Sequence, residues 1–242
     1  MKALAALLLV VPLSAAALSP DLKVSTDDLN EAGEHFIEFQ ANKASRPGPG
    51  APDARVPLQL LAEYSYGITD HWQVAAKLPF ARERGLRSLG ASVELRYLGA
   101  HDRESGGYWG LDLAAGRGRE LPGEAASSGL EVQPVLGYRA WGWHFAANLA
   151  LGFPSSGEDR RATFASKLKA GRRIGGHELG VEHFLEAGPA RNWLPRQERS
   201  EYLFVVWDKV VGNELNLGLG RGLTDASERW ILKAVYSFQL FK

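Results

Sequence analysis

The chain ends in RWILKAVYSFQLFK (residues 229–242). Every second residue from Trp230 is apolar or aromatic: Trp230, Leu232, Ala234, Tyr236, Phe238, Leu240. The residues between them, Ile231, Lys233, Val235, Ser237, Gln239 and Phe241, are mixed. A period of two sends successive side chains to opposite faces of a strand, so this stretch reads as a strand with one greasy face.

Working back from it, the same alternation recurs over residues 34–42, 57–67, 72–81, 89–98, 108–117, 130–139, 143–153, 164–170, 178–186, 203–208 and 214–219. With the closing segment these are twelve candidate strands. In the third, Trp72, Val74, Ala76, Leu78 and Phe80 oppose Gln73, Ala75 and Lys77. Alternation alone does not say which face is inside. A soluble sandwich buries the apolar face. A membrane barrel shows that face to lipid and keeps the polar one around its lumen.

Three features favour the membrane. Tight turns near residues 68–71, 140–142, 175–176 and 211–213 fall at one end of the strands. Long links over 42–55, 117–128, 154–161 and 187–200, rich in Pro, Gly and charge, fall at the other. Outer-membrane barrels have short periplasmic turns and long external loops, so the long links are expected outside. Aromatic residues on the apolar face also sort by end. Tyr66, Trp72, Tyr97, Trp109, Tyr138, Trp143 and Trp207 fall at the tight-turn rim, and Phe80, Phe153 and Trp230 at the other, as interfacial girdles do. Finally, strands of this length suit a tilted crossing of the bilayer. The expected fold is an all-β, antiparallel up-and-down transmembrane barrel of about twelve strands over residues 34–242, its last strand closing against its first.

The start of the chain, MKALAALLLVVPLSAAALSP, has a lysine, an apolar run and a small-residue stretch, the layout of a secretory leader over residues 1–17 cut after Ala16 or Ala17. Residues 18–33 then read as a short periplasmic lead-in. The expected location is the outer membrane of a Gram-negative bacterium, with outer-membrane lipid as surroundings and the barrel-assembly machinery as a partner during insertion. The chain has no cysteine, which excludes disulfides and thiol chemistry. Its 28 basic and 28 acidic residues balance, so nothing suggests nucleic acid. A monomer is expected.

Three stretches resemble a family of bacterial outer-membrane barrels named for the meta-pathway of phenol degradation. STDDLNEAGEHFIEFQAN (residues 25–42) is similar to its opening, EYSYGITDHWQVAAKLPF (63–80) to its second hairpin, and RGLTDASERWILKAVYSFQL (221–240) to its closing hairpin. The resemblance implies passage of hydrophobic or aromatic compounds across the outer membrane. It carries no catalytic motif.

No metal-ligand spacing, phosphate loop or serine elbow occurs, and no cofactor is expected. Ser166 and His183 share the apolar faces of the eighth and ninth candidates, and a turn near 174–175 would set them directly opposite. This leaves a lipid-facing hydrolase as a remote reading. The lumen face carries the stronger signal: Glu63, Lys77, Glu94, Arg96, Asp112, Glu131, Arg139, Lys167, Lys169, Glu178, Glu182, Glu186 and Lys233 point inward. The same turn brings Lys167 within cross-strand or diagonal reach of Glu182. Such charges either pair across strands and fill the barrel, or line a pore. The first function implied is a channel or transporter for small molecules, hydrophobic or aromatic ones among them. The alternative is a closed structural or surface-interaction barrel.

Overall fold

The computed structural model of the chain describes residues 21–50, 52, 56–102, 104–157, 160–210 and 215–242. The leader expected over residues 1–17 and its cleavage position lie outside them. Thirteen strand segments follow in chain order: β1 (His35–Ala44), β2 (Leu58–Thr69), β3 (Trp72–Arg82), β4 (Leu86–Ser88), β5 (Gly90–Leu98), β6 (Gly106–Gly118), β7 (Ser127–Ala140), β8 (Trp143–Pro154), β9 (Thr163–Ile174), β10 (His177–Pro189), β11 (Ser200–Asp208), β12 (Leu215–Gly222) and β13 (Trp230–Phe241). β4 and β5 are two pieces of one barrel strand, for both pair with β3 and only Leu89 separates them. Each strand pairs antiparallel with its sequence neighbour, and β1 pairs with β13 from His35↔Phe241 to Ala44↔Ile231. The result is a closed twelve-strand barrel with no free edge.

Local chemistry sets the corners. Trp141 and Gly142 both take positive φ (51° and 77°) in the two-residue turn between β7 and β8, the geometry that matches hairpin twist. Gly175 and Gly176 make the next tight turn, joining Ile174 to His177. In β7 the ladder to β8 is interrupted between Val132↔Leu151 and Val135↔Asn148, where Gln133 and Pro134 lie outside it. Proline has no N–H to donate, so a gap there is expected.

The two faces are inverted relative to a soluble protein. Leu232 is 64% exposed and its neighbour Lys233 only 3%. Leu, Val and aromatic side chains cover the outside, while Glu38, Gln40, Asn42, Gln133 and Asn148 are buried within. Aromatic rings touch one another along the tight-turn rim. Trp72, Tyr97 and Trp109 follow one another with ring centroids 4.8 and 5.3 Å apart. Arg172 lies over Trp143, and His177 meets Trp207 edge-on. Tyr138 is exposed in the same band, and Tyr66 stacks near His35. Trp230 sits at the opposite rim under Arg221. Trp141, 93% exposed at the tight-turn rim, joins the band from a turn and so escapes strand periodicity.

Candidate functional site

The sequence predicts a periplasmic lead-in over residues 18–33. Its described part runs inside the barrel instead. At the tight-turn rim the Gly33 N–H donates to the Gly67 carbonyl. From there the chain, read backwards, climbs the lumen. The Asn30 side-chain amide donates to Ser65 Oγ, and its backbone N–H donates to Gln73 Oε1. Asp27 receives a two-pronged bond from Arg139, at 2.8 and 2.5 Å, with His101 at 3.4 Å and His144 at 3.8 Å behind it. Arg96 donates to the carbonyls of Thr26 and Asp28. Asn148 exchanges two bonds with the backbone of Ser25. Lys23 pairs with Glu38. Asp21 lies 3.1 Å from Lys77 and 3.7 Å from Lys167. These partners come from β1, β2, β3, β5, β7, β8 and β9, so the segment lies along the barrel's interior rather than against one wall.

Periodicity could not find this, because the segment has no strand or helix period. The readable signal was charge. Asp21, Lys23, Asp27 and Asp28 put charge of both signs ahead of a barrel whose inward face carries both signs too. An unpaired charge in a narrow lumen is costly, and the segment supplies counter-charges at several levels.

The predicted lumen charges divide by height and partner. Lys77 sits between Glu94 at 2.9 Å and Glu63 at 3.8 Å. Arg96 lies 3.2 Å from Asp112, itself 2% exposed. Lys169 joins Glu178 at 3.0 Å and also Asp208. Lys233 of β13 pairs with Glu182 of β10. Glu131 is exposed within the lumen. Glu186 lies near Glu120, Glu131 and Glu228 towards the long-loop rim.

Two sequence expectations need correction. Lys167 stands opposite Phe184, a diagonal step from Glu182, yet their charges go elsewhere: Lys167 to Asp21, Glu182 to Lys233. Both have nearer opposite charges across the lumen, which strand-pair reasoning cannot see. Ser166 faces Leu185, not His183, because the two-glycine turn pairs Ile174 with His177 and moves the register by two. Among the described residues no hydrogen bond joins Ser166 to His183. His183 Nε2 instead lies 3.0 Å from Glu201 Oε1 on the outward face.

An apolar strip completes the lumen. Phe184, Tyr202, Phe204, Val206 and Ile231 cluster with Leu22 and Val24 of the inner segment. A Cβ at Gly220 would lie 2.4 Å from the Phe204 ring, so glycine there makes room for it. Around the segment remains a polar cavity of about 410 Å³, lined by Lys23, Lys77, Glu94, Arg96, Glu131, Lys167 and Glu182 among others.

Burial alone would push the Asp21 carboxyl up. Lys167 and Lys77 outweigh it and hold the group well below its ordinary value of 3.8. Burial would likewise depress Lys23, but Glu38 and Glu63 carry it above its ordinary 10.5. Asp28 is opposed by burial and drawn down by its bond from Thr26. The charged forms of all three are the docked forms. Among the described residues no group of three His, Asp or Glu could hold a metal ion.

No protein-family model matches the sequence, and no curated protein matches it. Solved structures do resemble it in fold. A COG4313 outer membrane channel from Pseudomonas putida F1 is 11% identical, with a TM-score of 0.69 over 91% of this chain and 100% of that one. The KdgM porin is 10% identical, with a TM-score of 0.53 over 84% of this chain and 99% of that one. At such identities the likeness is one of fold: this chain has the architecture of an outer-membrane barrel.

Proposed function

We propose that the protein is an outer-membrane channel for small solutes whose lumen is narrowed by its own N-terminal segment. The observation that carries the reading is the polar cavity of about 410 Å³ left beside residues 21–31 inside a closed barrel. A structural barrel with no traffic has no need of a charged, partly open interior. The neighbours in fold, a channel and a porin by their names, support the same reading.

The lining bears on solute class. Acids and bases in close alternation give no large field of one sign, so the path suits small polar molecules better than a strongly selected ion. The phenol meta-pathway resemblance of residues 25–42, 63–80 and 221–240 adds aromatic compounds to the candidates. The apolar side chains that line the cavity, Val24, Leu29, Phe36, Leu215 and Val235, are those such a solute would meet there.

A second reading has its own observation: Asp27, Ser25, Lys23 and Asp21 each tie the segment to the wall, as a permanent plug would be tied. Single-channel recording in planar bilayers separates the two. Discrete openings by the full chain support the channel. Silence, both from it and from a barrel relieved of the segment, supports the closed barrel.

A further inference from the structure

We infer that the outer surface between β13, β1, β2 and β3 holds a phosphorylated lipid of the outer leaflet, of the lipid A class, in a preformed groove capped by exposed cations. Most of the lipid-facing surface is a convex wall of Leu, Val and aromatic side chains. Here the outward positions shrink. Ala41 pairs directly with Ala234, and Ala62 stands opposite Phe39 on the next strand. These three alanines floor a trough of about 420 Å³ walled by Phe39, Phe80 and Leu86. Its lining is almost wholly apolar, as an acyl chain requires.

The groove ends in positive charge. Lys43 is the next outward residue above Ala41 on β1, and Arg82 the next above Phe80 on β3. Same-face neighbours on a strand are about 6.6 Å apart and adjacent strands about 4.8 Å, so both cations lie one step above the trough, roughly 10 Å from each other. Arg84 follows two residues after Arg82 in the turn between β3 and β4, at the same rim. All three are exposed. Lys43 donates to the Val56 carbonyl, and none of the three makes an ion pair among the described residues. The lumen is the opposite case, where nearly every charge has a partner. Glu83 is the acid of this hairpin and has an interaction of its own. Exposed cations directly above an acyl-sized groove match an amphiphile with anionic phosphate on its head, and basic residues at a membrane surface attract such heads. The assignment to the outer leaflet rests on the long-loop rim facing outside. It does not depend on whether the lumen conducts.

Native mass spectrometry of the folded barrel in mild detergent tests this, with lipid A, dephosphorylated lipid A, phosphatidylglycerol and inorganic phosphate each added as probe. One lipid A adduct is expected, with dephosphorylated lipid A and phosphatidylglycerol bound far more weakly and inorganic phosphate unable to displace it. Lys43→Gln/Arg82→Gln/Arg84→Gln should weaken the adduct on the order of a hundredfold, each cation contributing about a factor of five. Ala62→Trp, which fills the trough, should abolish it with all three cations in place. The probe series on the wild-type barrel needs no variant to fold. Equal binding of lipid A with and without phosphate, tighter binding of phosphatidylglycerol, or an undiminished adduct in a folded variant would overturn the assignment.

Discussion

Lys233 and Glu182 meet across the lumen from β13 and β10, and both side chains are almost wholly buried. Removing either leaves a buried charge without its partner, so Lys233→Ala and Glu182→Ala should each destabilise the barrel by about 3–5 kcal/mol. The double variant should lose less than the sum, and urea unfolding of the four proteins in a double-mutant cycle measures the coupling. Coupling below about 1 kcal/mol would mean the pair is water-screened. Titration is the second prediction at this scale. Asp21 is docked ionised with a depressed pKa, so its contribution is complete above its ordinary 3.8 and is lost as the pH falls below that. Lys23 is docked protonated with a raised pKa, so its contribution is complete below its ordinary 10.5 and is lost as the pH rises above that. The segment should stay seated between those limits and loosen beyond either. Protease or label access to residue 23, followed across pH, should trace a broad window of protection. Protection that changes steeply near neutrality would contradict it.

The strands were legible because each obeys a period of two and the bilayer demands it. The barrel has its twelve strands, and Glu63, Lys77, Glu94, Lys169 and Lys233 line the lumen cavity. Less legible was whatever depends on one strand finding another. The Ser166 register turned on which two residues of a glycine-rich turn form its tip, and β4 is too short to show a period. The partners of Lys167 and Glu182 lie across the lumen, at sequence distances no local pattern encodes. Element geometry gives a third prediction. Leu149 of β8 faces lipid and Glu131 of β7 faces the open part of the lumen. Leu149→Arg should cost about 2–4 kcal/mol if it lies near the bilayer midplane. Glu131→Arg should fold with little loss. Folding free energies in lipid vesicles compare them, and equal penalties would contradict the assignment of faces.

At the scale of the molecule, a twelve-strand barrel encloses too much charge to be left empty and too little space to be wide open. The inner segment answers both: it neutralises Lys77, Arg139 and Lys167 and leaves a polar cavity of about 410 Å³ beside itself. Nothing periodic announced that segment, and only its charges, set against those of the lumen, hinted where it goes. Its hold on the wall is made of ion pairs and hydrogen bonds together with the burial of Leu22 and Val24, so it is a part that can be removed without touching a strand. The conductance of the full chain should therefore be compared with that of a barrel lacking residues 21–31, both checked for folding by heat-modifiable mobility on gels. A several-fold larger and steadier conductance without the segment is the predicted result. Identical conductance in the two barrels would contradict a lumen narrowed by its own N-terminal segment.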